Sequence, residues 1–161
     1  MSVEVRAARV EDADDLARIF NQGIEERVAT FETREQDPDR FASVIETGAL
    51  VLAAERDGLL VGWAWVGPYS DPADYYSGVG EATLYVGREA RRTGVGLALL
   101  EGLADAARAR GYHKLVGKLF TTNEASAAML RAAGWREVGV HRRHGRLEDE
   151  WKDVSVVEKL L

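Results

Sequence analysis

The chain is predicted to adopt a mixed α/β (α+β) fold, a twisted mixed sheet of about seven strands with helices on both faces. Three observations carry that expectation. Strand-like and helix-like periodicities alternate in the order β-α-α-β-β-β-α-β-α-β-β along the 161 residues. Asp57-Gly58, between two apolar runs, is a tight hairpin signal. Only one strand-helix-strand passage, in the middle, is a clear parallel unit, so the rest of the sheet is antiparallel or mixed.

Each element has its own local warrant. Residues 3–8 alternate apolar and polar side chains, as a half-buried strand does. Glu11 and Asp12 place acids in the first turn of a helix, where the dipole favours them, and Leu16, Ile19, Phe20 and Ile24 form its apolar stripe. Residues 28–35 carry no period and are expected as a loop or broken helix end. Pro38 suits the first turn of a second helix through residue 47, with Gly48 as its stop. Residues 50–55 and 60–66 flank the Asp-Gly turn. Residues 67–80, with two prolines, three glycines, three tyrosines and two aspartates, are expected as a loop. Residues 81–86 form the fourth strand and 95–110 the long third helix, stopped by Gly111. Residues 114–120 are the fifth strand. Asn123 caps a fourth helix through residue 133, ended by Gly134. Residues 135–143 and 151–160 close the chain as an antiparallel pair. No repeat or low-complexity linker interrupts residues 1–161, so a single domain is expected.

Composition narrows the function. Apolar content of 46% and charged content of 30% are ordinary for a globular protein. The longest apolar runs, 51–54 and 59–65, are too short to span a bilayer. The N-terminus lacks the basic segment and apolar core of a secretory signal, which points to the cytoplasm. There is no cysteine, so disulfides, thiolate zinc sites and a cysteine nucleophile are excluded together. A net charge of −6 argues against general nucleic-acid binding. The basic stretch His141, Arg142, Arg143, His144, Gly145, Arg146 is then a solvated hairpin end. At strand spacing His141 and His144 face opposite sides, and no carboxylate cluster completes a metal site.

The stretch richest in chemistry is Arg91-Arg92-Thr93-Gly94-Val95-Gly96, between the fourth strand and the third helix. A strand feeding a glycine turn and then a helix makes an anion site. The first N–H groups of the helix have no partner within it, and the dipole adds partial positive charge. Glycine lets backbone approach a bulky anion, and two arginines beside the turn can pair with phosphate oxygens. A nucleotide P-loop would need Gly-Lys-Ser/Thr after four spaced residues, and none occurs. A dinucleotide loop would need a third glycine where Leu99 stands. What remains is R-x-x-G-x-G, which resembles the acetyl-CoA pyrophosphate loop of the GNAT superfamily of N-acetyltransferases.

The order of elements is similar to the GNAT fold, and further stretches narrow the likeness. Asn123-Glu124-Ala125-Ser126 resembles the segment where that superfamily places an asparagine on the pantetheine arm. Residues 21–33, which include Asn21, Gln22, Thr30 and Phe31, resemble the first-helix segment of phosphinothricin-type acetyltransferases. So do Tyr76-Ser77-Gly78-Val79-Gly80-Glu81, and the closing Arg143-His144-Gly145-Arg146-Leu147 followed by Trp151-Lys152-Asp153-Val154. That branch acts on phosphinothricin, arsinothricin and methionine sulfone or sulfoximine.

The resemblance implies acetyl transfer from acetyl-CoA to the amine of a small amino acid or analogue, without a metal and in a homodimer. It implies that Glu81 is the general base, which fits the need to strip a proton from an ammonium before it can attack. It implies that Leu84, Tyr85 and Val86 meet the cofactor through main chain along a bulged, splayed strand, one amide holding the developing oxyanion. Arg91, Arg92, Thr93, Gly94, Val95, Gly96 and Leu97 would hold the diphosphate, and Asn123 and Ser126 the pantetheine. The tyrosine that many relatives carry seven residues after this asparagine is Leu130 here, which cannot donate a proton. The acceptor pocket is expected from Thr30, Phe31 and Glu32 on one side and Tyr69, Tyr75, Tyr76 and Thr83 on the other, with Trp63 and Trp65 as walls. Relatives that bind amino-acid-like acceptors carry arginines ahead of the fourth strand. This chain has Ser70-Asp71-Pro72-Ala73-Asp74 there. An anionic acceptor would then need a cation from elsewhere, such as Arg27, Arg143 or a partner subunit, and a cationic or neutral amine stands as the parallel expectation. Two other readings stay open: a non-catalytic CoA-binding module, and acetylation of a protein N-terminus or other amine.

Overall fold

A computed structural model describes residues 2–69 and 73–161. Its elements are β1 (Glu4–Ala7), α1 (Ala13–Glu26), α2 (Pro38–Glu46), β2 (Leu50–Arg56), β3 (Leu59–Pro68), β4 (Val79–Val86), α3 (Val95–Ala109), β5 (Lys114–Phe120), α4 (Glu124–Ala132), β6 (Arg136–Leu147) and β7 (Glu150–Leu160). The seven strands form one sheet in the order β1-β2-β3-β4-β5-β7-β6. Every neighbouring pair is antiparallel except β4 and β5, joined through α3. The mixed sheet and its single parallel unit are as the periodicities predict.

Helices cover both faces. β2 is buried on both sides: Leu50, Leu52 and Ala54 pack towards α3, while Val51 and Ala53 pack towards α1 and α2. One core gathers Val95, Leu99, Leu103 and Ala107 of α3 against the sheet, with Met129 and Leu130 of α4 at its margin. The other gathers Leu16, Ile19, Phe20 and Ile24 of α1 with Phe41 and Trp63. Fully burying a leucine such as Leu99 stabilises the fold by about 1.5–3 kcal/mol.

Several boundaries differ from expectation, each for a local reason. Glu11 and Asp12 lie in a 3-10 turn, Val10–Asp12, ahead of α1. The Asp12 carboxylate accepts the Arg9 N–H at 2.7 Å and accepts from both terminal guanidinium nitrogens of Arg6, so it ties β1 to the turn. α2 is capped by Asp37, which accepts the Asp39 N–H. Asp57 and Gly58 both have positive φ, as a type I′ hairpin requires. The loop expected at 67–80 is shorter, because β3 runs through Pro68 and β4 begins at Val79, with Pro68 opposite Gly80. Between them Asp74–Tyr76 is a 3-10 turn, while Ser70, Asp71 and Pro72 lie outside the described residues.

β6 also runs further than its sequence suggests, so the basic stretch 141–146 is a strand rather than a hairpin end. Its pairing with β7 shifts between His141 and Gly145, where Arg143 has φ 47 and its N–H is accepted by Asp153. That shift overturns the expected alternation: His141 and His144 stack with ring centres 4.2 Å apart. Among the described residues no group of three metal-ligating side chains gathers, and no helix is long and apolar enough to cross a membrane.

Candidate active site

The site begins where two central strands part. β4 stays on β3 from Gly80 opposite Pro68 to Val86 opposite Gly62, with no register shift. Its pairing with β5 covers only Val79, Gly80 and Glu81, opposite Lys114, Leu115 and Val116. β5 meanwhile stays on β7 through Phe120. A wedge therefore opens beyond Glu81, and the β5 side of residues 82–86 has no strand partner. The expected bulge is absent, since the β3–β4 ladder is continuous; separation of β4 from β5 alone frees that edge.

At the far end of the wedge stands the turn into α3. Gly94 is the helix N-cap at φ 89, with no side-chain cap. An L side chain rarely adopts that conformation, and glycine enters it without a steric penalty. The N–H groups of Val95, Gly96 and Leu97 thus open the helix with no side chain over them. The Val95 side chain is core, so only its main chain serves the turn. Gly96 also serves packing: a Cβ there would meet the Met129 sulfur of α4, so its bare backbone lets α3 and α4 approach. Thr93 is committed to the turn, donating to Ala90 O and bonded by Arg56.

The two arginines divide. Arg91 makes a two-pronged pair with Glu26 at 2.6 Å and 2.6 Å and donates to Val86 O at 3.2 Å. Its hydrogen bonds hold the Glu26 carboxyl below the usual carboxylate range. Arg92, at φ 60, makes no side-chain hydrogen bond or ion pair among the described residues. Both border a groove of about 410 Å³. Leu84, Tyr85 and Val86 form one wall, Gly94, Gly96 and Leu97 another, and Asn123, Ser126 and Met129 the third. Asn123 caps α4 through Oδ1, which accepts the Ser126 N–H at 3.3 Å.

The groove continues into the wedge, a cavity of about 170 Å³ that shares Leu84, Tyr85, Asn123 and Ser126 with it. Glu81, Thr83 and Lys118 line this cavity, and Leu130 stands in its wall. The Glu81 carboxylate lies 3.3 Å from Lys118 Nζ. Thr83 and Tyr85 also border a third cavity, of about 190 Å³. Phe20, Phe41, Trp63 and Trp65 wall it, with Thr30, Glu32 and Arg40 at its polar side. Arg40 bonds Glu32 at 3.1 Å and Gln36 at 2.7 Å and lies 5.5 Å from the Phe20 ring centre. Burial pushes the Tyr85 hydroxyl up to about 12, so it stays protonated. The indole N–H groups of Trp63 and Trp65 are buried without a partner among the described residues, which costs free energy until something accepts them. A roomier hollow of about 470 Å³, between the end of α2 and Tyr112, reaches none of the wedge residues.

The remaining acceptor candidates separate. Phe31 sits edge-on to Phe120, ring centres 4.7 Å apart, and against Gly145, so it pins the 27–37 loop to β6. Tyr69, Tyr75 and Tyr76 pack on one another and line none of the three cavities. Arg27 is held by Glu148 and by the Ile24 carbonyl. The sequence reading missed Arg40 and Lys118. Lys118 did carry a signal: it is the one charge inside the apolar run Leu115-Val116-Gly117-Lys118-Leu119-Phe120.

The chain matches the Acetyltransferase (GNAT) family over residues 14–135. A Streptomyces coelicolor protein named phosphinothricin N-acetyltransferase is 31% identical over 166 residues, taking in 99% of this chain and 96% of that one. A ribosomal-protein-alanine N-acetyltransferase from Brucella melitensis superposes with a TM-score of 0.92 at 31% identity, over 98% of this chain and 99% of that one. YncA of Salmonella typhimurium, solved with its cofactor acetyl-CoA, superposes with a TM-score of 0.93 at 25% identity, over 100% of this chain and 95% of that one.

Proposed function

The chain belongs to the GNAT family of acetyltransferases and is an acetyl-CoA-dependent N-acetyltransferase; we propose that its acceptor is a small amino acid or phosphinothricin-like analogue and that Glu81 is its general base. One observation carries this reading: β4 leaves β5 immediately after Glu81, in a cavity that adjoins both the groove and the aromatic pocket.

The groove fits acetyl-CoA. The open N–H groups at Gly94 and the start of α3 suit its diphosphate, with Arg91 and Arg92 beside them. The free edge of residues 84–86 and the Asn123 amide suit the pantetheine arm. The thioester supplies an activated acetyl group. Glu81 takes a proton from the acceptor ammonium, directly or through water. The freed nitrogen then forms the N–C bond and gives up its second proton to water as the C–S bond breaks. A main-chain N–H among residues 84–86 holds the negative charge that gathers on the carbonyl oxygen. Leu130 offers no proton, so the thiolate leaves without a protein acid or takes its proton from water.

The aromatic cavity, at about 190 Å³, suits a small molecule rather than a peptide. We place the protein in the cytoplasm, acting as one domain and as a homodimer through its C-terminal hairpin. The exposed Val138, Val140 and Trp151 on that edge support the dimer, and light scattering tests it.

A thiol-release assay with acetyl-CoA tests the acceptor. The panel holds amino acids, their sulfone, sulfoximine and phosphinic analogues, a cationic amine and a peptide with N-terminal alanine. Turnover confined to the small amino acids is expected. Turnover of the peptide alone would replace this reading with the one that the Brucella protein's name suggests.

A further inference from the structure

β5 is buried from Leu115 to Phe120 except at Lys118. Lys118 stands between Gly117 and Leu119, both buried, on a strand paired along its length with β7. By strand alternation it shares a face with Val116 and Phe120, away from the Leu115 and Leu119 that pack into the α3 core. It lines the wedge cavity, and its one ion pair is with Glu81 at 3.3 Å. The lysine side chain is 42% exposed and the glutamate 28%. A pair that open contributes under about 1 kcal/mol, so fold stability does not account for it.

The cavity also lacks any other cation. Among the described residues Lys118 is the only basic side chain that borders it. Arg27 is spent on Glu148 and Arg40 on Glu32 and Gln36. The described part of the loop before β4 offers Asp74 instead of a base.

We propose that Lys118 binds the carboxylate of the acceptor and so sets the enzyme's preference for amino acids over simple amines. Two opposite charges 3.3 Å apart are the complement of a zwitterion, whose ammonium and carboxylate hang from one carbon. In the free protein Glu81 and Lys118 satisfy each other. The arriving acceptor exchanges both partners: its ammonium goes to Glu81 and its carboxylate to Lys118. A lysine suits that exchange, being a compact charge on a flexible stem. This inference rests on Glu81 being the group that meets the acceptor nitrogen.

The experiment compares L-methionine sulfone with its α-carboxamide, on wild type, Lys118→Gln and Lys118→Arg. Lys118→Gln is expected to raise KM for the amino acid about 10- to 100-fold, the range one charged hydrogen bond supplies. The rise in KM should be far smaller for the carboxamide than for the amino acid, and Lys118→Arg should recover most of the loss. Equal losses on acid and amide overturn the proposal, as does an unchanged KM or a wild type that handles both equally well. If wild type acetylates neither compound nor any other amine, the reading of Glu81 fails and this inference falls with it. Wild-type turnover that Lys118→Gln leaves untouched removes this inference alone.

Discussion

The two parts of β4 belong to one strand and live in different company. Gly80 and Glu81 are paired on both sides, by β3 and by β5, and Val79 by β5. Residues 82–86 are bonded by β3 alone and face a cavity on the other side. The paired half holds the strand in place; the other half leaves its β5-side main-chain groups without a strand partner. Glu81 is the last residue of the first kind. A carboxylate there is anchored by a finished ladder and still looks into the gap.

Breaking that comparison at its most sensitive point gives the largest expected effect. Glu81→Gln should lower kcat about 10²- to 10⁴-fold at neutral pH, the usual worth of a positioned base, and leave KM for acetyl-CoA alone. Steady-state kinetics checks it, and unchanged turnover would remove the chemical role of the paired half.

A carboxylate far from the wedge sharpens the contrast. Asp12 is saturated by Arg6 and the Arg9 N–H, with its side chain 11% exposed. Asp12→Asn should cost about 1–3 kcal/mol in urea unfolding and leave kcat unchanged. The Arg6 hydrogen bond holds the Asp12 carboxyl below its ordinary 3.8. Its contribution is therefore complete above that value and lost as pH falls through the lower folded-state one. Wild type should thus lose stability on acidification more steeply than the variant.

Gly94→Ala addresses the other end of the groove. An alanine forced to φ 89 should cost about 1–2 kcal/mol and weaken acetyl-CoA binding, read as a smaller rise in Tm at a fixed concentration. The smallest effect is local to the free edge. Amide exchange over residues 84–86 should slow when acetyl-CoA is added, while that of residues 79–81 is already slow.

Local chemistry made much of this legible. Asn123 declares a cap, and the structure uses it as one. Residues 114–120 form the strand their side chains specify. Gly94 announces a turn that needs positive φ. Where the reading failed, a distant partner had decided. The His141–His144 stack depends on a register shift against β7. Tyr76 turned to its neighbouring tyrosines rather than to the cavities. Lys118 is one odd charge in a strand until β4 brings Glu81 beside it.

The order of elements, their caps and the glycine turn follow from the sequence by itself, because each depends on a few neighbouring side chains and on backbone conformations that only some residues accept. Where β4 parts from β5, and which charges face each other across that parting, belongs to the tertiary structure. Strand pairing joins residues far apart along the chain, and its extent is set by how two helical layers pack the sheet from opposite sides.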